Sequence, residues 1–406
     1  MHLLIITPYY DPDLGPSAPL ITMLAKDLVN NGYMVTVLTA VPHYPSGQVQ
    51  DQYRKYIWKW DLEDGVNICR VRVPSGNRSN LMHRLLTFLV YQILTSLIGV
   101  RQKYDTLIVT NPAVEAYLPF WSLGVLRRKP TLYCVWDLYP EAGIRAGFFH
   151  SSIEIKLLRW IENYCLSHAA EIQVLSDTFL LNICQRGVLA DKISVILPWL
   201  DIEFIKPLPR WNDFSIEYGL SDSLVVMHAG NIGYTQDLDS VLEAAHRLVD
   251  DPRIKFVLVG DGPERLRLMQ KTRELGLRNL TFIPFQSRQR LPQVLASADL
   301  TLVSQKAGFE WDLLPSKLFP ALASGRPILA VVSPLSAASV LITQAQAGVC
   351  VPPGEPTLLA QQIITLLGDP EERRRMGENG RLFAEQHYSR SQATAQFVGI
   401  LTRMVS

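Results

Sequence analysis

"LLIITPYYDPDLGPSAPLITMLAKDLVNNGYMVTVLTA", Leu3 to Ala40, holds two apolar runs separated by an amphipathic stretch. The first run, Leu3–Thr7, is short and uncharged, which predicts a buried strand. Leu20, Met23, Leu24 and Leu28 then recur at helical spacing, and "NNGY" supplies the stop. The second run, Met34–Ala40, predicts another strand. Strand, helix and strand in this order form a βαβ unit, and the right-handed crossover makes its two strands parallel.

The same alternation continues outward. "NICRVRV", "DTLIVT", "TLYCVW" and "EIQVL" are further strand candidates, interleaved with helical stretches such as "SSIEIKLLRWIENYCLSH". A second series starts near Ser223: "LVVMHAG", "IKFVLVG", "LTFIPF", "DLTLVS" and "PILAVV" as strands, with helical segments between them. Leu197–Ser215 carries three prolines and no clean periodicity, and is predicted to be a linker. The expected fold is therefore α/β, with two Rossmann-like, doubly wound parallel-sheet domains. The first spans 1–198 and is joined by a C-terminal helix, 388–406. Residues 199–215 link it to the second, 216–387. Open α/β sheets bind ligands beyond the carboxyl ends of their strands, so two such domains are expected to face a central cleft.

Bulk properties exclude several function classes. The 406 residues are 48% hydrophobic and carry a formal charge of +1. The charges are spread along the chain, which argues against a general nucleic-acid binder. The five cysteines form neither a CxxC pair nor a Cys/His cluster, so buried, reduced thiols are expected and no zinc site. "DPD" (Asp11–Asp13) is expected to be a turn, not a metal-binding acid pair. The N-terminal apolar run is too short for a signal peptide, and a cytoplasmic location is expected. Sixteen uncharged residues lie between Arg84 and Arg101. That falls short of the roughly 20 needed to cross a bilayer. Two readings remain: a helix packed on a sheet, or a helix docked on the inner face of the plasma membrane, with the aromatic and basic segment Pro42–Trp60 beside it.

Three strand exits attract attention in the second half. "HAGNIGYTQDLDS" (His228–Ser240) places Gly230, Asn231 and Gly233 after a strand, where glycine permits close backbone approach and a following helix start meets anions. The spacing is not that of a dinucleotide-binding GxGxxG. "LVGDGPE" (Leu258–Glu264) is a second glycine turn, and a plain turn is the competing explanation for both. In "LPSKLFPALASGRP" (Leu314–Pro327), Ser316 is the expected N-cap and Lys317 falls in the first turn, followed by Leu318. A cation there opposes the helix dipole, which suggests an anionic companion such as a phosphate; the alternative is a solvated lysine. In the first half, Asp137 and Glu141 follow a strand in "VWDLYPEAG". Asp137 either caps the next turn or serves an acceptor group.

These motifs, taken in order, resemble the retaining glycosyltransferases of family 4, which share the GT-B fold. "GNIG", "LVGDGPE", "LPSKLF" with "LASGRPI", and "AGVCVPPGEPTLLAQQI" followed by "MGENGR" resemble the family's C-terminal domain. "TPYYDPDLGPSA", "NNGYMVTVLTAVPHYPSGQV", "VWDLYPEA" and "VILPWLDIEFIKP" resemble the subgroup that builds bacterial surface polysaccharides, including fucosaminyl- and colanic-acid-type transferases. The resemblance implies a nucleotide-diphospho-sugar donor held mainly by the second domain, and a saccharide acceptor, polyprenyl-linked, at the first. Gly230, Asn231, Gly233, Ser316, Lys317 and Leu318 would hold the diphosphate, Phe285 the base, and Gly15 would let its loop approach the phosphates. Asp312 would supply an acid for the donor, with Glu310 an equal alternative. Asp137, Glu141 and Lys317 would be catalytic. No cofactor, metal or protein nucleophile is implied.

Two departures from the family pattern stand out. Pro320 occupies the position where many members carry a ribose-binding carboxylate. Tyr234, Thr235 and Gln236 stand where basic residues often follow the glycine turn, which leaves Lys317 as the main cation, with Lys306 and Arg326 as lesser candidates. The rival expectations are a GT-B sugar-nucleotide epimerase that needs no acceptor, and a non-catalytic relative acting as an assembly partner.

Overall fold

The computed structural model describes residues 1–405 except Leu14, Pro16, Pro45, 77–79, Ala146, Phe148, His150, Trp311 and Asp312. The chain divides into two compact units: Met1–Pro198 with Arg390–Ser406, and Trp199–Ser389.

The first unit is built on eight strands: β1 (His2–Ile6), β2 (Met34–Ala40), β3 (Trp58–Glu63), β4 (Val66–Val71), β5 (Thr106–Thr110), β6 (Thr131–Val135), β7 (Glu171–Val174) and β8 (Ile193–Val195). Their order is β3-β4-β2-β1-β5-β6-β7-β8. All neighbours are parallel except β3 and β4, which form a hairpin. The helix Ala18–Asn30 connects β1 to β2 and buries Ile21, Met23, Leu24, Ala25 and Leu28, so the expected βαβ unit forms. Gly32, at φ +84°, ends it. The helix Arg390–Arg403 packs on Ala18–Asn30: Arg390 Nε meets Asp27 Oδ2 at 2.6 Å, Thr394 Oγ1 donates to the same oxygen, and Phe397, Ile400 and Leu401 are buried.

β4 falls on the expected strand "NICRVRV", and its hairpin partner β3 begins in the aromatic and basic segment Pro42–Trp60, where no strand was expected. The hairpin turn is Asp64-Gly65, with φ +50° and +78°, the two positive angles that a tight two-residue hairpin turn needs. Trp58 pairs with Val71 and Trp60 with Cys69. Cys69 and Val71 pack in one core with Tyr91 and Ile98 of the helix Leu81–Gly99. Opposed residues of an antiparallel pair share a face. Trp58 and Trp60 therefore extend the sheet face that carries this helix, and both are exposed. The helix itself buries Tyr91, Thr95 and Ile98, while Leu85, Leu86, Leu89, Ile93 and Leu97 form an exposed stripe.

The second unit is a six-stranded parallel sheet in the order β11-β10-β9-β12-β13-β14. Its strands are β9 (Leu224–Ala229), β10 (Ile254–Val259), β11 (Leu280–Ile283), β12 (Leu300–Ser304), β13 (Ile328–Val331) and β14 (Gly348–Val351). The four inner strands are apolar and buried almost throughout, as a parallel sheet covered on both faces requires, while the edge strands β11 and β14 are half-buried. Residues 199–215, expected to be a linker, are packed within this unit. Trp199 and Phe214 are buried, and Arg381 Nη1 donates to the carbonyls of Ile202 and Ile205.

Candidate active site

In the second unit β9 and β10 run in register, Ala229 beside Val259, and both exit through glycine. Gly230 has φ +127°, Gly260 +142° and Gly262 +156°, a region that side chains disfavour. A Cβ on Gly260 would sit 1.9 Å from the Gly230 carbonyl oxygen, and one on Gly262 2.3 Å from that of Ile232. The two exits thus lie backbone against backbone, which only glycine allows.

Lys317 crosses this platform. A Cβ at Gly230 would lie 2.7 Å from Lys317 Cε. Among the described residues the ammonium group has no hydrogen-bond or ion-pair partner, and burial lowers its pKa to about 8. Beneath it, His228 is buried in β9, with Nε2 3.3 Å from the Asn231 carbonyl. Burial first, and the Lys317 charge second, push this imidazole down to about 3, so it is neutral. His228 carried no signal in the sequence beyond its place at a strand end.

The neighbouring backbone differs from expectation. The Gly230 amide donates to Val259 O at 2.8 Å and the Ile232 amide to Asp261 O at 2.8 Å. The Gly233 amide donates to Gln236 Oε1 at 2.7 Å. Only the Asn231 amide in this turn lacks an acceptor among the described residues. Ser316 is exposed and does not cap. The helix is Leu318–Ala323, with Lys317 itself at the N-cap position and no side-chain cap. Leu318 is buried, and its amide donates to Pro315 O at 3.0 Å. Pro320 sits at the third helical position, where an amide has no intrahelical acceptor, so the proline removes nothing the helix uses. Phe285 is exposed just beyond β11. Asp312 lies outside the described residues. Its alternative, Glu310, has a buried Oε2 with no hydrogen-bond partner among the described residues. Arg326 lies at the far end of the short helix, with Nη2 on Leu208 O, and does not join Lys317.

In the first unit a chain of amides ties the strand ends together. Asn111, after β5, accepts from the Trp136 amide at 2.8 Å and donates to the Asp137 carbonyl. Trp136 Nε1 donates to Gln173 Oε1 at 2.8 Å, and Gln173 Nε2 donates to Val174 O and Ile196 O. This fixes the backbone of Asp137, whose side chain is exposed. Crowding around that side chain, then the Glu115 charge, raise its pKa to about 7; contact with water moderates the shift. Glu141 is held by Arg159 Nε at 2.9 Å and Arg186 Nη2 at 3.2 Å. Gly15 packs under Tyr9, with a Cβ there 2.4 Å from the ring, and its amide donates to Asp13 Oδ1. Asp13 Oδ2 accepts from the His43 amide, so the acid of "DPD" organises a loop, as expected.

The two halves of the chain match two family models: a glycosyl transferase 4-like domain over residues 17–199, and glycosyl transferases group 1 over residues 211–383. The chain belongs to the glycosyltransferases. It is 29% identical to a putative colanic acid biosynthesis glycosyl transferase, WcaI, of Escherichia coli, over 80% of this chain and 82% of that one. Its fold is similar to Anabaena HepE, solved with UDP-glucose (TM-score 0.76, 18% identity, 99% and 100% of the two chains). It is equally similar to sucrose-phosphate synthase of Thermosynechococcus elongatus (TM-score 0.76, 16% identity, 100% and 99%). The fold of this glycosyltransferase is GT-B.

Two buried acids of the glycosyltransferase escaped the sequence reading. Glu162, on the helix Ser152–His168, accepts from Tyr133 Oη at 2.9 Å and from the Ala113 amide at 3.2 Å. Burial outweighs these bonds and raises it to about 7. Glu115, at the start of the helix after β5, is also buried. Glutamates on amphipathic helices ordinarily face water, so neither position stands out before the fold is known.

Proposed function

We propose that this glycosyltransferase moves a sugar, with retained anomeric configuration, from a nucleotide-diphospho-sugar to a polyprenyl-linked saccharide in surface-polysaccharide assembly. The observation that carries the donor assignment is Lys317: an ammonium group with no ion-pair partner among the described residues, laid over glycine backbone at the strand exits. A diphosphate supplies the missing charge. In the reaction the bond from the sugar C1 to the diphosphate oxygen breaks, and its electron pair leaves with the diphosphate. The acceptor hydroxyl oxygen bonds C1 from the same face, and its proton passes to Asp137. Lys317 stabilises the charge growing on the leaving group, a contribution of several kcal/mol in such sites. The UDP-glucose complex of HepE and the colanic acid assignment of WcaI support the donor class and the polymer context.

The acceptor proposal includes a membrane. The exposed stripe Leu85, Leu86, Leu89, Ile93 and Leu97, continued by Trp58 and Trp60, forms an apolar face suited to an interfacial helix on an anionic surface. Incubation of the purified protein with candidate sugar nucleotides and a short polyprenyl-diphospho-saccharide tests the reading. Release of nucleoside diphosphate together with an extended lipid product of donor-like anomeric configuration is the expected result. Inverted product would overturn retention, and an epimerised sugar nucleotide without extension would overturn transfer.

A further inference from the structure

The second unit has a concavity away from the strand exits. A cavity of 570 Å³ lies at the opposite end of the sheet, beside Asp299 and Arg326, which precede β12 and β13. Its other wall is the helix Pro370–His387. Five arginines line it against three carboxylates. The volume falls in the range of small-molecule sites.

The arginines are incompletely satisfied. Arg210 donates to Asp299 Oδ2 and to the carbonyls of Leu220 and Ser223, but its Nη1 is buried with no acceptor among the described residues. Arg326 gives Nη2 to Leu208 O; its Nε is buried with no acceptor among the described residues, and it feels the Asp299 charge but forms no ion pair with a described carboxylate. Arg373 spends Nη1 on the carbonyls of Leu366 and Leu367 and likewise has no carboxylate partner among them. Buried N–H groups left unbonded are costly, and one Asp299 carboxylate stands against both Arg210 and Arg326. Beside these groups the two walls close on each other through glycine: a Cβ on Gly377 would meet Gly325 O at 2.2 Å, so the helix Pro370–His387 packs directly on the backbone that carries Arg326. Planar guanidinium forks match the oxygens of phosphate.

We propose that this cavity is a second anion site, which takes a phosphorylated small molecule (a phosphomonoester or diphosphate) distinct from the donor. The helix Leu318–Ala323 spans the distance between the two sites, with Lys317 at one end and Arg326 past the other. Six residues of helix cover about 9 Å. Binding at Arg326 therefore needs no contact with Lys317.

Pyrophosphate is the probe, titrated calorimetrically into full-length protein at constant ionic strength. Lys317→Ala should still bind one equivalent. Adding Arg373→Gln to that variant should weaken this binding at least tenfold; the substitution also removes the Nη1 bonds to the Leu366 and Leu367 carbonyls, so a somewhat lower melting temperature is expected, and an unchanged circular dichroism spectrum at the titration temperature shows that the fold is kept. If Lys317→Ala binds no pyrophosphate, or if Arg373→Gln leaves its affinity unchanged, the second site does not exist. Wild-type crystals soaked in tungstate give a readout without any variant: anomalous density in the arginine cavity is expected, and density confined to the Lys317 side would overturn the proposal. Both readouts are independent of transfer activity.

Discussion

The side-chain stem of Lys317 lies across the bare Cα of Gly230, with 2.7 Å between Lys317 Cε and the place a Cβ would occupy. Gly230→Ala should therefore act twice. The left-handed backbone at φ +127° costs about 1–3 kcal/mol with a side chain present. The new methyl group also displaces the lysine. Affinity for nucleoside diphosphate should fall tenfold or more by calorimetry. Near-wild-type affinity in Gly230→Ala would separate Lys317 from the donor.

Lys317 also predicts a trade between stability and function. Its pKa falls from 10.5 in the unfolded chain to about 8 in the folded one. Between those values the unfolded chain holds the extra proton, so this group's contribution to stability rises with pH from about 8 to 10.5. Below that window the cost of burying the charge stands in full. Lys317→Met should then be more stable than wild type at pH 7, by about 1–2 kcal/mol once partial access to water is allowed for, and equal to it above pH 11. Urea denaturation at both pH values measures this. The same variant should lose donor binding.

Asp137 should govern the acidic limb of the pH–rate profile. Its pKa is raised above the usual carboxylate range, less than full burial would raise it because the side chain meets water, so the carboxylate that accepts the acceptor proton is lost as pH falls below neutral. Asp137→Asn should slow transfer by 10²–10⁴ and leave nucleoside diphosphate affinity unchanged. Glu115→Gln removes the neighbouring charge and should move the limb to lower pH. A limb that stays in place would remove Glu115 as its cause.

Glu141 is expected to behave differently from Asp137. Its carboxylate is engaged by Arg159 and Arg186, an anchor between helices. Glu141→Gln should cost about 1 kcal/mol of stability and change the rate constant only a few-fold. A loss as large as that of Asp137→Asn would make it a second reacting group.

Leu89 and Ile93 test the membrane face. Both are exposed, so Leu89→Glu with Ile93→Glu should leave the fold intact. Each buried leucine-sized side chain is worth about 1.5–3 kcal/mol, so co-sedimentation with anionic vesicles at low salt should drop tenfold or more. Equal co-sedimentation of variant and wild type would rule out this face.

Much of the fold is legible in the chain because parallel strands buried on both faces are plain apolar runs. Met34–Ala40 is found to the residue. The hairpin is harder: Trp58 and Trp60 put apolar side chains outside, which inverts the usual alternation, and the real signal is Asp64-Gly65. Residues 199–215 look like a linker because prolines break periodicity, yet Trp199 and Phe214 anchor them. At the site, the glycines and Lys317 were visible as residue types. What they do to one another was not, because the overlap of Gly260 with the Gly230 carbonyl depends on the register of two strands. Ser316 failed as a cap because the chain reaches its helix through the turn at Pro315, and the buried acids Glu115 and Glu162 have no local signature.

The docking of Arg390–Arg403 on Ala18–Asn30 has a consequence for the order of synthesis. During translation the first unit emerges with its earliest helix lacking the cover that Phe397, Ile400 and Leu401 later provide. The whole second unit must leave the ribosome before that cover arrives. The nascent chain thus carries an open apolar seam through half of its production, and a message cut short before Arg390 yields a protein whose first unit never closes.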